Sequence, residues 1–125
     1  MNAVRPHRLM IVDDSNIMRR KIERSQEIPN VEIVGTAGNG REALELPASS
    51  RPPLVTMDLT MPEMDGIECV EQLVDRDPDI RILVISALAD KATAIEALEK
   101  GASGFLCKPF TERQLNAALV KLLES

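Results

Sequence analysis

The chain has 125 residues, 44% of them apolar and 28% charged, a size and balance that suit one globular domain over 1–125 with a single core. Its net charge of −5 and lack of a basic patch argue against a nucleic-acid partner. No apolar run has membrane-spanning length or the form of a secretory signal, so a cytoplasmic protein is expected, with Cys69 and Cys107 reduced and structural.

Apolar runs alternate with helical stretches five times. The first strand is expected over 8–13, with lone His7 as a frayed residue before it, and a helix over 15–27 in which Arg19-Arg20-Lys21 reads as a solvated face. A strand over 31–37 leads through Gly38-Asn39-Gly40 to a second helix over 40–46, which should be short because Pro47 would interrupt it. The third strand, 54–58, precedes a helix over 66–76 with Ile67, Val70, Leu73 and Val74 on one face and an Asp65-x-x-Glu68 start. The fourth pair is a strand over 80–86 and a helix over 91–100. The fifth is a strand over 104–108 and a helix over 111–123 that opens with Thr111-x-x-Gln114, the pattern of a capping box. Short apolar runs between helices read as buried parallel strands, and their alternation implies a doubly wound α/β fold with helices on both faces.

Four of these strands end on residues that carry chemistry. Leu9-Met10-Ile11-Val12 runs into Asp13-Asp14, Leu54-Val55-Thr56-Met57 into Asp58, Ile82-Leu83-Val84-Ile85 into Ser86, and Phe105-Leu106-Cys107 into Lys108-Pro109. Residues just past the carboxyl ends of parallel strands share one edge of the sheet, where ligands bind. Three carboxylates crowded there raise one another's pKa or call for a cation. A hard divalent ion such as Mg²⁺ suits an all-oxygen donor set. Lys108 adds a compact positive charge and Ser86 a hydroxyl donor. Phosphoryl transfer needs mostly positioning and charge neutralisation, and Asp58 could serve as its nucleophile. Taken singly, Asp13 or Asp14 could equally cap a helix, Ser86 could be a turn residue and Lys108 a surface charge.

The segments Val12-Asp13-Asp14-Ser15, Met57-Asp58-Leu59-Thr60-Met61-Pro62-Glu63-Met64-Asp65-Gly66, Ser86-Ala87 and Gly101 to Phe110 together resemble the receiver domain of two-component response regulators, and the length resembles its chemotaxis-type members. The resemblance implies a (βα)5 flavodoxin-like three-layer sandwich around a five-stranded parallel sheet. It implies that Asp58 accepts a phosphoryl group from a histidine kinase or phosphotransfer protein. Mg²⁺ would be held by Asp14, Asp58 and the backbone carbonyl of Thr60, with Asp13 acting through water. Lys108 would contact the phosphoryl group, Ser86 would be the switch hydroxyl, Phe105 the switch aromatic, and Pro109 would follow a cis peptide bond. Output would pass through the face of strand 4, helix 4, strand 5 and helix 5, including Lys91, Ile95, Glu99, Phe105 and Lys121. Helix 1, with Ile17 and Met18, would receive the phosphodonor.

Some positions depart from the best-known chemotaxis pattern. Phe105 replaces a tyrosine, so no hydroxyl is offered to a flagellar partner. Thr60 and Leu88 carry neither acid nor amide, which implies a long-lived acyl phosphate. Ser25 and Gln26 are more polar than is usual at the end of helix 1. Competing readings are an aspartyl phosphatase, which wants D-x-D after the first strand; a phosphorylation-independent scaffold, which would have lost site residues; and a nucleotide site at Gly35-x-x-Gly38-x-Gly40, which a turn explains. A receiver belonging to a larger regulator, such as a methylesterase, and a phosphate relay or sink are further alternatives; helix 5 ending at Leu123-Glu124-Ser125 favours a stand-alone protein, monomeric or weakly dimeric.

Overall fold

The computed structural model describes residues 7–45, 53–59, 66–87 and 91–124. Strand β1 (His7–Val12) leads to α1 (Asn16–Ser25), β2 (Val31–Ala37) to α2 (Gly40–Glu45) and β3 (Leu54–Asp58) to α3 (Gly66–Arg76). Strand β4 (Arg81–Ala87) then leads to α4 (Lys91–Glu99), and β5 (Gly104–Lys108) to α5 (Glu112–Glu124). Every strand pair is parallel, and the order across the sheet is β2-β1-β3-β4-β5. Each element lies within two residues of its expected span. The expected effect of Pro47 and the Asp65 start of α3 fall outside the described residues.

The two-residue period of the strands sorts the core into two layers. Leu9 and Ile11 of β1 face one side and pack with Ile22 of α1 and Leu115, Leu119 and Leu122 of α5. Met10 and Val12 face the other side and join Ala43, Cys69, Val70, Leu73, Ala94 and Ala97 from α2, α3 and α4. The last four residues of β1 and all of β3 are buried, as central strands covered on both faces should be. Edge strand β2 instead alternates between half-buried and exposed positions. The two cysteines form no disulfide; Cys69 lies in the core and Cys107 is half-buried.

Helix ends are capped locally. Ser15 caps α1 by accepting from the Met18 amide at 3.2 Å, so neither Asp13 nor Asp14 is the cap. The Thr111 hydroxyl accepts from the Gln114 amide at 3.1 Å, and the Gln114 side chain accepts from the Thr111 amide at 2.9 Å, forming the expected capping box. Helix α4 ends at Gly101, whose φ of 118° closes a Schellman turn: Ala102 N–H donates to Ala97 C=O and Gly101 N–H to Leu98 C=O.

Two expectations are corrected. His7 is not frayed: it is the first residue of β1, pairs with Val31, and donates its amide to the Asn30 carbonyl at 2.6 Å. The basic cluster is not simply a solvated face. Arg19 folds back to donate to the Asp13 carbonyl and the Asn16 side chain, and Lys21 reaches Phe110, while Arg20 is exposed.

Candidate functional site

The sheet order creates the site. From β1 the chain moves to β2 on one side, then crosses to β3 on the other side of β1. The loops after β1 and β3 therefore diverge, leaving a crevice at the carboxyl edge. Asp13 immediately follows β1, and Asp58 is the last residue of β3.

Asp13 is 1% exposed. Its Oδ1 accepts from the Ser15 amide at 2.9 Å, and its Oδ2 lies 3.6 Å from Lys108 Nζ. Lys108 Nζ also lies 3.7 Å from Oδ1 of the buried Asp58. Asp14 is exposed, and Asp13, Asp14 and Asp58 each offer a carboxylate oxygen within 4.8 Å of the others. Burial pushes the Asp13 carboxyl above the ordinary carboxylate range. The Ser15 amide and Lys108 oppose that shift, and the Asp14 charge adds to it.

Among the described residues one ammonium faces three carboxylates, so the cluster is net negative. Asp13 Oδ2 is buried without a hydrogen-bond partner among the described residues. A compact set of hard oxygen donors with excess negative charge fits Mg²⁺ in both donor type and charge. Thr60, the expected carbonyl ligand, and Leu88 lie outside the described residues, as does the segment Met61 to Asp65.

Ser86, near the end of β4, is 1% exposed, and its Oγ has no hydrogen-bond partner among the described residues. Phe105 on β5 is 40% exposed, turned away from the core. Lys91, Ile95, Glu99 and Lys121 are also exposed. The Lys108–Pro109 peptide is cis, as expected.

Gly66 shapes the site. A Cβ there would lie 2.5 Å from Leu59 Cα and 2.9 Å from the Asp58 carbonyl oxygen. Glycine lets α3 begin directly against the strand end that carries Asp58, with the Gly66 amide donating to the Leu59 carbonyl at 3.2 Å. Arg19, bonded to the Asp13 carbonyl, similarly steadies the acidic turn. Only the tertiary path of the chain reveals either role.

Residues 9–120 match the response regulator receiver domain. Over 115 residues the chain is 41% identical to chemotaxis protein CheY of Thermotoga maritima, covering 92% of this chain and 96% of that one. It is 42% identical over 107 residues to a protein-glutamate methylesterase/protein-glutamine glutaminase of Alkalilimnicola ehrlichii, a match that takes in 84% of this chain and 27% of that one. A chain of the CheX–CheY–BeF3–Mg²⁺ complex from Borrelia burgdorferi superposes with a TM-score of 0.85 at 29% identity, over 95% of this chain and 90% of that chain. With its five-stranded parallel sheet, the acids gathered at its carboxyl edge and a family match across most of its length, the chain belongs to the response regulator receiver domain family.

Proposed function

We propose that Asp58 is a phosphoacceptor served by a phosphohistidine on a histidine kinase or phosphotransfer protein. The phosphorylated chain then signals by protein contact in a chemotaxis-type pathway in the cytoplasm. The observation that carries this reading is a cluster of three carboxylates within 4.8 Å, with Lys108 Nζ 3.6 Å from Asp13 and 3.7 Å from Asp58. The identity to CheY supports the pathway. Among the described residues no helix is long and apolar enough to cross a membrane.

In the transfer, an Asp58 carboxylate oxygen bonds to phosphorus as the P–N bond of the phosphohistidine breaks. The electron pair leaves on the imidazole nitrogen, which takes a proton from water. Asp14, Asp58 and the Thr60 carbonyl would hold Mg²⁺ directly and Asp13 through water; when bound, the ion neutralises charge on the transferred oxygens. Lys108, already paired with Asp58, stays beside the site as those oxygens arrive. Phosphorylation adds about −1.5 to −2 charge units and new acceptor oxygens. Ser86 Oγ, buried and without a hydrogen-bond partner among the described residues, is a ready donor to one of them. Its movement makes room for Phe105 to turn inward and reshapes the β4–α4–β5–α5 face. The phosphodonor docks on α1, where Ile17 is 82% exposed beside an open groove of about 480 Å³. The chain assists only its own phosphorylation and dephosphorylation.

A second reading treats the chain as the receiver of a larger methylesterase-type regulator, favoured by the 42% identity to that protein. It changes the output and leaves the Asp58 chemistry intact.

Intact-mass spectrometry after incubation with Mg²⁺ and acetyl phosphate tests the proposal. Wild type is expected to gain one phosphoryl group only when Mg²⁺ is present, and Asp58→Asn to gain none. No gain in a wild type that still binds Mg²⁺ would reject phosphotransfer in favour of a scaffold.

A further inference from the structure

We propose that Lys21 is a positioning residue for phosphoryl transfer: from α1 it holds Phe110, and through Phe110 it holds Lys108 against the acidic pair. This rests on the reading of Asp58 as phosphoacceptor. The Lys21 ammonium donates to the Phe110 carbonyl at 3.1 Å and stands 4.5 Å from the centroid of the Phe110 ring. The two contacts constrain different parts of one residue, its backbone oxygen and its ring face. A cation over an aromatic ring is attracted by the ring quadrupole, which an apolar side chain of the same length cannot reproduce.

What Lys21 holds matters because of where Lys108 stands. Strand β5 is an edge strand, paired with β4 alone, and Lys108 is its last residue. Beyond it the sheet no longer guides the chain. The path is set by whatever secures Phe110, two residues on. On one side, Phe110 is 4% exposed and packs in the same cluster as Leu115, next to the Thr111–Gln114 capping box. On the other side, Lys21 ties it to α1. That helix is capped by Ser15, whose amide is bonded to the Asp13 carboxylate. Asp13, Ser15, α1, Lys21, Phe110 and Lys108 therefore form a ring, closed by the 3.6 Å ion pair from Lys108 back to Asp13. Lys21 is the member of this ring that joins the strand carrying the acid to the strand carrying the base. The rest of the ring is covalent chain, the cap at Ser15 and the ion pair itself.

Lys21→Met keeps the stem and removes the charge and the donor, Lys21→Arg keeps both, and Phe110→Leu removes the ring while retaining an apolar filler. Each is followed by intact mass over a range of acetyl phosphate concentrations at saturating Mg²⁺, with Tm and Mg²⁺ affinity measured alongside. In Lys21→Met the maximal labelling rate should fall about tenfold, the order expected when a reacting group is displaced by a fraction of an ångström. The half-saturating donor concentration and Mg²⁺ affinity should hold, and Lys21→Arg should recover most of the rate. The double variant Lys21→Met/Phe110→Leu should be no slower than the slower single variant, because both changes break the same link. A full rate in Lys21→Met, equal losses in the Met and Arg variants, or multiplying losses in the double variant would each overturn the proposal. A wild type that takes no phosphoryl group would instead overturn the reading of Asp58 and this proposal with it.

Discussion

Thr56 lies in the middle of β3, level with Ile11 on β1 and Leu83 on β4, and is 1% exposed. Its hydroxyl has no hydrogen-bond partner among the described residues. A buried hydroxyl left unsatisfied costs about 1–3 kcal/mol of desolvation. Valine has the same shape without that group, so Thr56→Val should stabilise the fold by about 1 kcal/mol. Tm should rise by roughly 3–5 °C, as checked by calorimetry, while a lower Tm would mean the hydroxyl is satisfied in solution. The sequence identifies Thr56 as a strand residue, but pairing of its hydroxyl depends on neighbours in other strands. Asp13, Asp58, Ser86 and Lys108 were legible because each stands at or beside the point where an apolar run stops, a local pattern that parallel pairing converts into proximity. Arg19, Arg20 and Lys21 look alike as three successive cations. Their different roles, one holding the Asp13 carbonyl, one exposed and one clasping Phe110, follow from which side of α1 faces which strand end.

At the scale of elements, the polar end of α1 illustrates the same division. Ser25 and Gln26 are unusually polar for a helix packed on a sheet, yet Ser25 is 6% exposed. The partner is on α5. Asn116 Nδ2 donates to the Ser25 carbonyl at 2.8 Å and to the Glu112 carbonyl at 2.9 Å, while its Oδ1 accepts from the Glu27 amide at 2.9 Å. One side chain thus satisfies the end of α1 and the first residues beyond it, a part of a helix whose carbonyls lack internal partners. Asn116→Ala should cost about 1–2 kcal/mol in urea unfolding with an unchanged m value. Exchange of the Glu27 amide should accelerate; unchanged exchange would mean water replaces the bond at no cost. The spans of the helices and strands were readable from periodicity and turn residues. The irregularity in β2 was not. Leu9 pairs with Ile33 but Met10 with Gly35, leaving Val34 as an extra residue, 39% exposed, in a run that otherwise reads as regular.

For the molecule as a whole, the acidic cluster should couple stability to pH and, as the proposed Mg²⁺ site, to divalent cations. The chain carries a net charge of −5, and among the described residues three carboxylates share one crevice with a single ammonium. Burial raises the Asp13 pKa in the fold above its ordinary value in the unfolded chain. Between those two values the folded chain binds a proton that the unfolded chain releases. Stability therefore falls as pH rises through this window; the penalty is absent below the unfolded value and complete above the folded one. In EDTA, Asp13→Asn should accordingly raise Tm at neutral pH, with the advantage fading as the solution is acidified through the carboxylate range. As proposed, Mg²⁺ would bind the folded cluster and not the dispersed acids of the unfolded chain, so it should raise the wild-type Tm in proportion to the logarithm of its concentration. The stabilisation reaches about 2.7 kcal/mol at a hundredfold excess over Kd. Loss of Asp14, a proposed ligand, should remove most of that gain, and Asp13→Asn should reduce it because a charge is missing from the site. The Asn substitution is thus stabilising without the ion and comparatively destabilising with it. A thermal-shift series in pH and Mg²⁺ reads this reversal directly. If Asp13→Asn shifts Tm by the same amount in EDTA and in Mg²⁺, the cluster does not act on the ion as a unit, because a purely structural effect of Asn cannot depend on a cation bound elsewhere.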